Sequence, residues 1–183
     1  MYIKESDIEV INKTKEWINK VVIGCNFCPF AAREIKRDSI SYRVIYTSDV
    51  KLILQTLGEE LLRMDKEQSI ETTFIILPES FDDFNDYLDL IDLCQLLLEE
   101  EGKEGVYQIA SFHQHYQFDG TTVNDAANYT NRSIYPMIHI LREASISYAL
   151  KNFPDPESIP QRNIEFARNK GIEYMKKLRE SCI

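Results

Sequence analysis

Thr72-Thr-Phe-Ile-Ile-Leu77, closed by Pro78, is the stretch on which the fold turns. It is an unbroken run of β-branched and large apolar side chains, without the alternation of a half-exposed strand. Such a run reads as a strand covered on both faces. Helices must therefore lie above and below it. Toward the N-terminus, Ser41 to Tyr46 (SYRVIY) reads as a second strand. Between the two, Ser48 or Asp49 caps a helix carrying Leu52, Ile53, Leu57, Leu61 and Leu62. Toward the C-terminus, Ser80 opens a helix with a core stripe of Phe84, Leu88, Ile91, Gln95 and Leu98. Its outer face carries Asp82, Asp86, Asp89 and Asp92. Val106 to Phe112 (VYQIASF) follows as a third strand.

Strands alternating with helices imply crossover connections. The expected class is α/β: a small, mainly parallel sheet of three to four strands flanked by about five helices. Ser6 to Glu9 (SDIE) forms a capping box ahead of Ile8, Ile11, Ile18 and Val22, and Gly24 ends that first helix. Ser133 caps a helix expected to run through Leu150. Phe153-Pro-Asp-Pro156 breaks the chain, and a last helix runs from about Ser158 to Arg179. The reading is one domain over residues 1–183, with a C-terminal helical portion, 134–181, packed on it.

Composition narrows the function. The 183 residues are 44% hydrophobic and 28% charged, ordinary for a globular fold, and the formal net charge is −9. That charge opposes a polyanion, so nucleic acid and anionic membrane are both disfavoured. No segment has the order of a signal peptide, and no apolar run approaches the roughly 20 residues of a membrane helix. Four cysteines without a secretory signal suit a reducing compartment, so a cytoplasmic location is expected.

The candidate chemistry lies in a few places. Pro29 at a first helical position sets Cys28 near an N-cap, where helix amides favour a thiolate; the alternative is a small residue packed in a turn. His113 ends the third strand and could act as a base, or could simply bond the backbone. Cys25 and Cys28 with His113 and His115 form a chemically legitimate zinc set. Asn128, Asn131 and Arg132, within Asn128-Tyr-Thr-Asn-Arg-Ser133, suit an anion or an amide, and they also suit ordinary turn chemistry. Residues 113–133 form the longest polar stretch, with Tyr116 among its aromatics. It leaves the carboxyl end of a strand, where open parallel sheets bind ligands. His139, Arg142 and Glu143 would share one helical face.

These motifs carry a resemblance. Gly24-x-Asn26-x-Cys28-Pro-Phe-Ala31, Ser111-Phe-His113 with Tyr116-Gln-Phe118, Asn128 to Ser133, Leu141-Arg-Glu-Ala-Ser145, and Phe153-Pro-Asp-Pro156 with Arg162-Asn163 resemble the domain-of-unknown-function 1415 family over nearly the whole chain. The resemblance implies no activity or cofactor; it suggests that Cys28, His113, Asn131 and Arg132 belong together. Cys25 stands where the family pattern has an aliphatic residue, and Gln114-His115 where it has proline and a non-histidine, which weakens the zinc set. The leading expectation is a small cytosolic enzyme or enzyme-like protein, with Cys28 as nucleophile or redox thiol and His113 as its partner. Arg132, Asn131, Asn128 and Tyr116 would hold a small anionic or amide-bearing ligand. The alternatives are a non-catalytic ligand- or protein-binding module, and a zinc-binding domain.

Overall fold

Thr72–Ile76 forms strand β2, and all of its residues are buried, as the run of apolar side chains requires. The structure is a computed structural model that describes residues 5–151 and 153–183. Strand β1 (Ile40–Val44) lies parallel to β2 on one side. On the other side lies β4 (Met137–Arg142), antiparallel to β2, and β3 (Tyr107–Phe112) pairs antiparallel with β4. The order across the sheet is β1-β2-β4-β3.

The α/β class stands, and one feature of the expected sheet needs correction. β1, β2 and β3 do run in one direction, but β4 enters between β2 and β3 against it. Two of the three pairings are therefore antiparallel, and the sheet is not mainly parallel. The single helix expected from Ser133 to Leu150 is instead β4 followed at once by helix α5 (Glu143–Lys151). Ile138, Leu141, Ser145 and Tyr148 fit a helical period. Ile138 and Ile140 alternating with His139 and Leu141 fit a strand equally well. The unpaired edges of β2 and β3 decide the matter, because β4 satisfies both. The portion 134–181 is accordingly not wholly helical.

One face of the sheet carries α3 (Val50–Lys66) and α4 (Phe84–Glu100). Asp49 caps α3 by accepting from the amides of Lys51 and Leu52. Asp83, rather than Ser80, caps α4; the Ser80 hydroxyl bonds the carbonyl of Thr47 at 2.8 Å. The buried stripe is Tyr87, Leu90, Ile91, Cys94 and Leu98, turned from the expected one, and Leu88 faces outward. These side chains pack on Ile75, Leu77, Ile109, Ile138 and Ile140 from the sheet.

The opposite face is covered by α1 (Asp7–Trp17), its π-helical continuation Ile18–Ile23, α2 (Ala31–Lys36), α5, α6 (Ile159–Lys170) and α7 (Ile172–Glu180). Ser6 and Glu9 make the capping box that starts α1. The single last helix divides at Gly171, whose φ of 81° no helix continues. Among the described residues no helix is long and apolar enough to cross a membrane. This face does not close fully on the sheet. The gap is the candidate site.

Candidate functional site

A cavity of about 490 Å³ separates the sheet from α1, α2, α5 and α6. That volume lies within the ~300–1,000 Å³ of small-molecule sites. Its floor is the sheet face that bears Thr72 and Phe74 on β2, His139 and Leu141 on β4, and Ala110 and Phe112 on β3. Trp17, Ile18 and Val22 form one wall, Cys28 to Ala31 a second, and Ile146, Ala149 and Leu150 of α5 a third. Most of the lining is hydrocarbon. Arg33, Glu34, Glu71 and Ser145 make it polar at one end. There the Arg33 Nε donates to Glu34 at 2.6 Å, and the Ser145 hydroxyl donates to Glu71.

The wall bearing Cys28 is a turn fixed by remote parts of the chain. The π-helical segment bonds Gly24 N–H to the Asn19 carbonyl at 3.0 Å, a five-residue step that widens the helix end. At Gly24 a Cβ would stand 2.2 Å from the Lys20 carbonyl oxygen, so glycine is required there. Asn26 adopts the left-handed conformation (φ 55°), which asparagine tolerates better than most residues. Its carbonyl accepts from Arg162 at 3.0 Å, and the carbonyl of Phe27 accepts from Asn163 at 2.7 Å. Phe30 meets Phe153 edge-on at 5.8 Å, and the Arg162 guanidinium lies over the Phe153 ring.

α2 starts later than expected: Phe30 is its N-cap, Pro29 precedes the helix, and Cys28 stands two residues before the cap, where the amides of Phe30 and Ala31 still favour its thiolate. Burial in the apolar wall outweighs them, and Glu34 adds to it, so the thiol is pushed above its ordinary pKa. Proximity to helix amides does not activate a sulfur that is this dry. Cys28 is a neutral thiol near pH 7.

His139 stands at the centre of the floor. Its ring stacks on Phe74 at 3.9 Å with the planes 4° apart. The Thr72 hydroxyl lies 2.5 Å from His139 Nε2 and donates to the Ile140 carbonyl at 2.7 Å. With its single hydrogen committed there, Thr72 accepts from Nε2–H, which assigns the tautomer. Nδ1 is buried without a hydrogen-bond partner. Burial holds the imidazole pKa down at about 3, so the ring is neutral at physiological pH. The helical face shared by His139, Arg142 and Glu143 does not exist. On a strand His139 points into the cavity, whereas the Arg142 guanidinium bonds the carbonyls of Met64 and Ile70 on the α3 side.

The expected constellation is divided. His113 is fully buried on the other side of the sheet, between the rings of Phe84 and Tyr87 of α4 at 5.2 and 4.8 Å. Its Nε2–H donates to the Phe81 carbonyl at 2.8 Å, and its Nδ1 accepts from the His115 amide at 3.0 Å. Both ring nitrogens are engaged, and burial lowers its pKa despite the Phe81 bond. The structure does not bring His113 to Cys28, because the sheet lies between them.

Arg132, Asn131, Asn128 and Tyr116 also lie outside the cavity. Arg132 donates to the carbonyls of Tyr116 and Val123, each at 2.9 Å, and rests on the Tyr129 ring. Asn128 accepts from the Phe118 amide and the Thr121 hydroxyl and donates to the Thr122 carbonyl. Asn131 bonds Ser111 and Thr130, and Tyr116 packs on Phe84 and Phe118. These groups hold the stretch 113–133 in shape, and their donors point inward at its own backbone. The four proposed zinc ligands are scattered too: Cys25 is in the core, Cys28 in the cavity wall, and His113 and His115 across the sheet. Among the described residues no three His, Cys, Asp or Glu side chains converge on a metal-sized point.

A family model described as "Protein of unknown function (DUF1415)" matches residues 9–177. The chain belongs to the DUF1415 family. Comparison with curated proteins and with solved structures finds no match. In this DUF1415 protein the motifs that carried the resemblance form two groups. Gly24 to Ala31, Leu141 to Ser145, Phe153 to Pro156 and Arg162-Asn163 gather at the cavity and the turn that borders it. Ser111 to Phe118 and Asn128 to Ser133 build the self-bonded polar stretch. Trp17, Phe74 and Ala110, which line the cavity, carry no motif, and Phe112 belongs to one only through its neighbours Ser111 and His113.

Proposed function

We propose that this chain binds a small, largely apolar molecule between its sheet and the α1–α2–α5 layer. The observation that carries this reading is the cavity itself: a ligand-sized volume lined by aromatic and aliphatic side chains, with an uncharged thiol and an uncharged imidazole as its central polar groups. Natural ligand sites share that economy, in which apolar walls supply affinity and a few polar groups supply orientation. An anionic or amide-bearing ligand held by Arg132 and Asn131 receives no such support, because those side chains are engaged with the loop backbone. Nor does the Cys28–His113 pair, whose members face opposite sides of the sheet. Cys28 is better suited to contact a ligand than to attack one.

N-phenyl-1-naphthylamine, an uncharged dye that brightens in apolar surroundings, tests the reading. The expected result is saturable one-site binding, a raised melting temperature, and energy transfer from Trp17, the chain's single tryptophan. Ala149→Phe, which places a ring inside the cavity from α5, should abolish it. Dye binding that survives a folded Ala149→Phe protein, or no saturable binding at all, defeats the proposal.

A further inference from the structure

Tyr42, Phe74, His139 and Ala110 lie side by side across the four strands. The register pairs Tyr42 with Phe74, Phe74 with His139, and His139 with Ala110. Strands sit about 4.8 Å apart, so in-register rings on one face are brought into stacking range. The first three positions use this. Tyr42 and Phe74 stack with their planes 12° apart, and Phe74 and His139 with theirs 4° apart. At the fourth position the side chain is a methyl group, and Ala110 lines the cavity beside His139. Phe112, two residues along β3 on the same face, approaches His139 at 5.7 Å with a 40° tilt and bounds the space on that side. One face of the imidazole is thus covered by Phe74, and His139 borders the cavity.

We infer that the cavity takes a planar aromatic ligand, whose ring lies over Ala110 and extends the Tyr42–Phe74–His139 row by one member. This deepens the binding reading above and rests on it. A flat ring gains offset stacking on the neutral imidazole in addition to apolar burial. A saturated ring system of similar size gains only the burial. A larger residue at position 110 would close the space with the protein's own atoms. The ligand class is therefore an uncharged, flat, aromatic or heteroaromatic molecule, small enough for about 490 Å³.

Calorimetric titration with 2-naphthol and its saturated counterpart 2-decalol tests this. The expected result is tighter binding of 2-naphthol by about 2- to 12-fold, the range that stacking contributes beyond area. Ala110→Phe should erase that preference, and Ala110→Val serves if the phenylalanine variant does not fold by circular dichroism. Equal or tighter binding of 2-decalol overturns the planar-ligand inference and leaves the cavity reading standing. An unchanged preference in a folded position-110 variant overturns it as well. If neither alcohol binds, both the inference and the cavity reading fall.

Discussion

The indole Nε1 of Trp17 donates a 3.0 Å hydrogen bond to the main-chain carbonyl of Arg132. A residue of the cavity wall is thereby tied to the polar stretch that sequence reading had nominated as the site. The bond uses the backbone of Arg132, and the guanidinium is left to clamp the carbonyls of Tyr116 and Val123. Arg132→Ala should therefore cost about 1–3 kcal/mol in urea unfolding, since two inward-facing carbonyls lose a charged donor. Binding of N-phenyl-1-naphthylamine to the folded variant should persist. A variant of full stability that no longer binds would return Arg132 to a ligand-contacting role.

Gly24 and Gly58 should answer alanine in opposite senses. A Cβ at Gly24 meets the Lys20 carbonyl at 2.2 Å, whereas at Gly58, within α3, it meets nothing within 4 Å. Gly58→Ala should stabilise by about 0.5–1 kcal/mol through helix propensity. Gly24→Ala should lower the melting temperature by forcing the π-helical end apart. Equal effects at the two positions would show that the wide helix end is not what demands glycine.

Acid should weaken the protein through its buried imidazoles. His139 is neutral in the folded state down to about pH 3, whereas the unfolded chain takes up that proton below about 6.5. Between those values the unfolded state holds more protons, so stability rises with pH through the window and is lost on acidification. His113, also shifted down by burial, acts in the same direction. Carboxylates held below their ordinary range, such as Asp65 beside Lys103, add their own loss only at lower pH. His139→Leu should flatten the stability profile measured by urea unfolding between pH 6.5 and 4.5 without levelling it. An unchanged slope would mean that the imidazole is charged in the folded protein.

Alkylation by iodoacetamide should report a sluggish Cys28. Its rate is expected to rise only above the pH at which an ordinary thiol ionises, and bound N-phenyl-1-naphthylamine should slow it further. Cys25, Cys94 and Cys182 are buried and should label only on unfolding. An inflection below the ordinary thiol value would restore the nucleophile.

Much of the architecture was legible because it rests on local rules. The capping box at Ser6–Glu9, the buried run 72–76 and the helix behind Asp49 each follow from a few neighbouring side chains. β4 did not follow, since a six-residue segment with four apolar side chains suits either period and its partners lie 67 and 31 residues away by the Thr73–Ile140 and Ile109–Ile140 pairings. The site was hidden for a related reason. Polar motifs are conspicuous in a sequence, yet Asn128 and Arg132 turned out to serve the backbone around them. The cavity is an absence of packing between Phe74, Ala110 and α5, which no single segment encodes. Cys28 is legible because its turn motif is local. His139 lies in a segment whose apolar pattern suits a helix as well as the strand it forms.

The insertion of β4 between β2 and β3 has a consequence for synthesis. When the ribosome has delivered residues up to 136, the first three strands exist, but the strand that joins β2 to β3 does not. The nascent chain exposes two sticky borders until Met137–Arg142 arrives to zip them together. Closure of this sheet is thus a late event, because β3 has no strand partner but β4, and a stalled or truncated product ending before Met137 should aggregate rather than persist as a smaller stable fold.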